Sequence, residues 1–218
     1  MTSSDVTGTA GAPTPPSNGL GPNLLEQLRP ALASVALLTL ITGCIFPLAL
    51  WGVGRPAFPS QADGSLVTDN GAVVGSRLIG QTFSRPEYFQ TRPSAAGTGY
   101  DASSSGGTNL GPSNPTLVQD VRQFAADYRK ANGLAPDADI PIDAVTRSAS
   151  GLDPHISPAN ADLQVARVAR TRGLVEAAVR RLVNEHTEGR QLGFLGEPRV
   201  SVLELNLALD RMAESDAR

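Results

Sequence analysis

The chain has 218 residues, with 18 Lys plus Arg against 21 Asp plus Glu, a formal net charge of −3 and 40% hydrophobic residues. That balance excludes a wholly disordered chain, a polytopic membrane protein and a broad basic field for nucleic acid. One cysteine, Cys44, excludes an intramolecular disulfide framework, a Cys–Cys zinc site and an iron–sulfur cluster, and one Trp, three Tyr and six Phe are too few for an extended base-stacking platform.

Residues 1–29 read as a disordered tail, because Met1 to Asn23 is dominated by four Gly, four Pro, three Ser and four Thr and has almost nothing to bury. Residues 30–54 read as a transmembrane helix. No charge falls between Pro30 and Gly54, and Ala31 to Val53 would rise ~35 Å as a helix against a hydrocarbon core of roughly 30 Å. The run is too long for the apolar region of a cleaved signal peptide. Within it Thr39 and Gly43 stand four apart, and Pro47 has no N–H for the carbonyl of Gly43. The position is therefore small and offers an acceptor to a partner helix, or is a proline kink tolerated in a lone anchor.

Residues 55–218 then form a soluble domain, with 17 cationic and 19 anionic side chains. Two strands, residues 64–68 and 72–79, flank Asn70-Gly71 and predict a hairpin. Asn114-Pro115 starts a helix carrying Leu117, Val121, Phe124 and Tyr128, which stops at Asn132-Gly133. Ser157-Pro158 starts another, with Ala161, Val165, Val168 and Ala169 on one face, Gln164, Arg167 and Arg170 on another, and an end near Gly173. A third helix follows from Leu174 to about His186. Arg199 to Val202 alternates as a strand, and Leu205, Leu209 and Met212 predict a closing helix. Without a regular strand-helix-strand rhythm the fold class is α+β: one N-terminal transmembrane helix followed by a mixed α+β domain.

Three stretches of the soluble domain carry candidate chemistry. The glycine-rich run from Ser105 to Pro112 could converge backbone N–H groups on a phosphate, but it has no lysine and no strand clearly feeds it, which favours a turn-rich connection leading into the Pro115 helix. Ser148 to Pro158 gathers Ser150, Asp153 and His155. These read either as a hydrolytic serine with its base and orienting acid or as a hydrogen-bonded corner, and the missing nucleophile-elbow pattern favours the corner. With His186 far away in sequence they do not complete a metal site. The amino end of the helix at Ser157, with Gln164 and Arg167 on its polar face, offers a place for an anion or is simply a solvated face.

The runs Gly75 to Phe83 and Tyr88 to Ala95, then Gly106 to Pro112, Ala149 to Pro158, Gln164 to Ala169 and Leu195 to Asn206, together resemble the C subunit of the bacterial potassium-transporting Kdp ATPase. The likeness spans about Leu28 to Asp210 behind one membrane segment. The family commonly has Trp where this chain has Gln90, and Asn where it has Ser201. Membership implies a non-catalytic accessory subunit with no tightly bound cofactor. Its implied partners are a P-type ATPase subunit, a potassium-translocating subunit and the lipid bilayer, with no nucleic acid. The complex handles ATP and potassium, and the family implies a rise in the ATPase subunit's affinity for ATP.

Were the soluble domain on the cytoplasmic side, the helix start at Ser157 with Gln164 and Arg167 would be the candidate nucleotide contact. The resemblance makes Asn109, Gly111, Pro112, Gly151, Asp153 and His155 structural positions of the family pattern, and the spacing of Thr39, Gly43 and Pro47 makes them the candidate membrane partner contact. The resemblance also implies a single-pass protein of the cell membrane with its soluble domain outside the cytoplasm. The charge rule is silent on orientation, with Arg29 on one side of the span and Arg55 on the other. Any effect of such a domain on cytoplasmic ATP must then pass through the membrane or the partner subunits. The competing readings are a membrane-anchored hydrolase and an extracytoplasmic binding module.

Overall fold

A computed structural model describes residues 20–216; the expected tail lies outside the described residues as far as residue 19. From Leu20 the chain is already helical. Helix α1, Leu20–Leu40, passes through a π-helical turn at Ile41–Ile45 into α2, Phe46–Ala57. Over Glu26–Ala57 its mean hydropathy reaches 2.1 and none of it is buried, so it is long and apolar enough to cross a bilayer. The chain divides into two compact units, one ending at Pro59 and the other beginning at Ser60.

The short α3, Pro59–Ala62, begins at the last residue of the first unit, and a hairpin of β1, Leu66–Asp69, and β2, Ala72–Ser76, follows it in the second. Asn70 and Gly71 sit at φ +47° and +80°, as a tight antiparallel turn requires, and both residue types tolerate that conformation. The second strand stops at Ser76 rather than Ile79. There the Ser76 hydroxyl donates to the Gly64 carbonyl and accepts from the Leu78 N–H, turning the chain away from the ladder.

Helix α4, Pro115–Asn132, is capped by the Asn114 side chain, which accepts from the Thr116 N–H, and it ends on Gly133 in the left-handed region. The short α5, Ile142–Val145, leads to β3, His155–Ile156, and then to α6, Pro158–Arg172, which is capped by Ser157 and closed by Gly173. Helix α7, Glu176–Glu185, is followed by β4, Thr187–Glu188, by β5, Arg199–Ser201, and by α8, Val202–Asp216. Strands β3, β5 and β4 form an antiparallel sheet in that order. The expected elements are present and the α+β class stands. The segment 148–158 is not wholly irregular: His155 pairs with Ser201 and Ile156 with Val200.

The core lies between α6, α7, α8 and this sheet. Ala161, Val165, Val168 and Ala169 of α6 meet Val179 and Val183 of α7, Val200 of β5, and Leu205 and Leu209 of α8. Phe89 joins them from a long connection without helix or strand that runs from β2 to a 3₁₀ turn at Ala102–Ser104. Connections of that length need something other than a ladder to hold them.

Candidate functional site

Two side-chain amides replace the missing ladder. Gln164 Oε1 accepts from the Gln90 N–H at 2.7 Å while its Nε2 donates to the Gln90 carbonyl at 3.1 Å. Asn206 repeats the pattern one residue away, accepting from the Phe89 N–H at 2.8 Å and donating to the Phe89 carbonyl at 3.0 Å. A side-chain amide presents a donor and an acceptor at the spacing of a peptide group, so each side chain acts as a one-residue strand, and Gln164 Nε2 also donates to Asn160 Oδ1 at 2.9 Å. Arg167 completes the clamp, donating to the carbonyls of Pro86 and Tyr88. Its other donors go to Asn132 Oδ1 at 2.9 Å and Gln164 Oε1 at 2.6 Å.

The expected solvated face of α6 is therefore corrected. Gln164 is 1% and Arg167 3% exposed, and their polar groups are used inside the fold. Burial lowers the pKa of the Arg167 guanidinium, against the pull of neighbouring Tyr128. Burial pushes the Tyr128 hydroxyl well above the usual phenol range, and the Asp143 carboxylate adds to the rise. Periodicity places Arg167 and Gln164 on a polar stripe; only the loop packed over that stripe makes it interior.

At the start of α6 the chain supplies its own anion. Asp143 accepts from the Ser157 N–H and from the Ser157 hydroxyl, each at 2.8 Å, and from Asn160 Nδ2 at 2.9 Å. The Ser157 hydroxyl in turn accepts from the Asn160 N–H at 3.1 Å. A carboxylate held there takes the favourable place that the helix amino end offers to negative charge. Sequence reasoning missed Asp143, which stands fourteen residues before its partner with no motif joining them.

The segment 148–158 is a corner tied on several sides. Asp153 accepts from Arg92 Nη1 at 2.8 Å and from the His155 N–H at 3.0 Å, with His155 Nδ1 at 3.5 Å. Burial alone would raise the Asp153 carboxyl, but the contacts with His155 and Arg92 outweigh it and hold it below the usual range. The Ser150 hydroxyl accepts from the Leu152 N–H. Gly151, at φ +68°, lies where a Cβ would stand 2.6 Å from the Ala96 nitrogen and 2.8 Å from the Gly106 carbonyl. The glycine-rich run packs on this corner, with the Gly106 N–H donating to the Ser150 carbonyl at 2.9 Å.

Asn109, at φ +51°, lines a cavity of about 290 Å³ with Asp120, Phe124 and Arg147. Arg147 pairs with Asp120 at 2.5 Å and lies 4.8 Å over the Phe124 ring. Gly111 accepts from the Asn114 N–H ahead of α4, and Pro112 lies in the same turn. A wider groove of about 550 Å³ opens between α4 and the 82–100 connection, walled by Phe83, Tyr100, Phe124 and Tyr128.

In the membrane segment, Thr39 and Gly43 lie on one helix face, the added Cβ of Gly43 falling 3.9 Å from Thr39 Cγ2. The chain accommodates Pro47 by the π turn: the Phe46 N–H bonds to the Ile41 carbonyl instead of Thr42's. Neither Thr42 nor Gly43 then receives its α-spaced donor, so the acceptor expected at Gly43 is joined by a second at Thr42.

The family model described as "KdpC: K+-transporting ATPase, c chain" matches residues 28–211. A potassium-transporting ATPase KdpC subunit from Koribacter versatilis is 54% identical over 186 residues, covering 85% of this chain and 94% of the relative. The corresponding subunit of Caulobacter vibrioides is 55% identical over 188 residues, covering 86% and 94%. That of Mycobacterium bovis is 52% identical over 187 residues, covering 86% and 99%.

Proposed function

This chain belongs to the KdpC family of K+-transporting ATPase c chains, and from that premise we propose that it is a non-catalytic accessory subunit that assembles with the P-type ATPase and potassium-translocating subunits. Its helix crosses the cell membrane once, its soluble domain lies outside the cytoplasm, and it tunes the complex, including the ATPase subunit's affinity for ATP. The observation that carries the assembly role is the fully exposed apolar helix with a π turn at its centre: a small face at Thr39 and Gly43 beside two carbonyls without their α-spaced donors suits a neighbouring helix.

Tuning then runs through the partner subunits. The side chains most suited to a nucleotide, Ser157, Gln164 and Arg167, have their hydrogen-bonding groups engaged with Asp143, Gln90 and the Pro86 and Tyr88 carbonyls. A coupling free energy needs a differential contact somewhere in the assembly, not at the nucleotide itself. Gentle purification of the tagged chain tests the proposal. Recovery of both larger subunits is expected, and recovery of the chain alone contradicts it.

A further inference from the structure

The groove of about 550 Å³ between α4 and the 82–100 connection has the volume of a small-molecule site, and Phe83, Tyr100, Phe124 and Tyr128 wall it. Its walls are fixed before anything enters. Tyr128 donates to Asn160 Oδ1 at 2.8 Å and Tyr100 to the Arg92 carbonyl at 2.7 Å, while Gln90, also in the wall, has its backbone held by Gln164. Each tyrosine hydroxyl has given its single proton to the protein, so neither can donate to an anion in the groove. What remains to them is an electron-rich ring and an oxygen lone pair.

Two of the described residues lining the groove are charged, Arg92 and Asp127. Arg92 has its counter-ion elsewhere, pairing with Asp153 at 2.8 Å, and Asp153 is not part of the lining. Asp127 accepts only from the neutral Gln123 side chain, at 3.1 and 3.0 Å, and among the described residues no Arg or Lys pairs with it. The buried Arg167 behind Tyr128 is offset by the Asp143 carboxylate, which acts on the same hydroxyl in the opposite sense. The lining therefore carries one carboxylate without a counter-ion.

Aromatic rings beside an unpaired carboxylate suit an organic cation, because the ring quadrupole attracts its charge and the carboxylate supplies the counter-charge. A quaternary head has no N–H to satisfy, which fits walls made mainly of ring. A metal ion seeks a shell of oxygens instead, and among the described residues Asp127 belongs to no group of His, Cys, Asp and Glu that could hold one. Phe124 differs from the other rings, since Arg147 of the neighbouring cavity lies 4.8 Å over it. It closes the wall, and Phe83, Tyr100 and Tyr128 are left to attract the ligand.

We propose that this groove binds a quaternary ammonium ion, with its charged head among Phe83, Tyr100 and Tyr128 and facing Asp127. The site lies wholly within the second compact unit, and it holds or fails independently of the accessory-subunit reading. Choline and its uncharged carbon isostere, in which a tert-butyl group replaces the trimethylammonium head, separate charge from shape. Saturation-transfer NMR on the methyl protons of each, with the full chain in a maltoside detergent, tests the proposal. Choline should bind about ten-fold more tightly than the isostere, the factor expected of a desolvated cation–π contact. Tetramethylammonium chloride should displace it, and potassium chloride at the same concentration should not.

Asp127 is exposed, so its variants test the site without disturbing the core. Asp127→Asn should weaken choline binding about five-fold and Asp127→Arg should abolish it, both with an unchanged melting temperature. Absence of transfer to choline, equal transfer to the two ligands, or displacement by potassium chloride as effective as by tetramethylammonium chloride overturns the proposal. Undiminished choline binding by Asp127→Arg overturns it as well, because the bound cation would then lie elsewhere.

Discussion

Gln164 makes both backbone hydrogen bonds of Gln90, with its oxygen 2.7 Å from the Gln90 nitrogen and its nitrogen 3.1 Å from the Gln90 oxygen. A helix side chain thereby holds an extended connection as a neighbouring strand would. The clamp explains how a connection without helix or strand places Phe89 fully inside the core.

Gln164→Leu keeps the volume but removes the donor and acceptor, leaving the Gln90 peptide groups and one Arg167 donor unpaired. It should destabilise the domain by about 2–4 kcal/mol, as expected when several buried polar groups lose partners together. Gln164→Glu keeps the acceptor toward Gln90 and Arg167 but loses the donor, and should cost less. Thermal unfolding of the full chain in detergent checks the order; equal loss in both variants would mean that the paired geometry contributes nothing.

The Asp153 carboxyl is held below its ordinary range by His155 and Arg92, which outweigh burial. A depressed carboxyl stabilises the fold above its unfolded pKa, and that contribution is lost as pH falls through the folded value. Stability should therefore decline below about pH 4, the unperturbed Asp value. Asp153→Asn should flatten this part of the profile. Melting temperature against pH for both proteins decides; an identical acid limb would remove Asp153 from the account.

Gly151 and Gly111 give a matched pair. A Cβ at Gly151 meets backbone atoms at 2.6 and 2.8 Å with φ at +68°, whereas nothing lies within 4 Å of one at Gly111. Gly151→Ala should cost more than about 1 kcal/mol and Gly111→Ala should lie within about 0.5 kcal/mol of neutral. Denaturant unfolding of the two variants compares them directly, and equal effects would contradict the packing described for the corner.

Gly43→Leu fills the small face beside Thr39 and shields the carbonyls that the π turn leaves without their α-spaced donors. Each membrane hydrogen bond contributes only about 1 kcal/mol, but the close approach of backbones is lost with it. Recovery of the partner subunits should fall while the soluble domain keeps its melting temperature. Unchanged recovery would move the interface to another helix face or to the soluble domain.

A cysteine introduced at exposed Asp63, beyond the span that holds Cys44, reports the side of the membrane. An impermeant thiol reagent should label it in intact cells. Labelling only after the membrane is broken would place the domain in the cytoplasm.

Much of this fold was legible because its signals are local. Asn70-Gly71 specifies the hairpin turn, Asn114-Pro115 and Ser157-Pro158 specify helix starts, and Gly133 and Gly173 specify the stops. The apolar positions of α6 all reach the core. The candidate site was harder to read, because burial of Gln164 and Arg167 depends on a connection more than seventy residues away in sequence. Asp143 at the start of α6 has the same character. The two-residue strands β3 and β4 exist only through pairing with β5, and no local pattern announces them.

Potassium-stimulated ATP hydrolysis by the purified complex, assembled with and without this chain, tests the central claim most directly. The accessory-subunit account predicts that removing the chain lowers this activity and weakens the apparent affinity for ATP, with both restored when the chain is added back. Full activity and unchanged ATP affinity in a complex lacking the chain would contradict it.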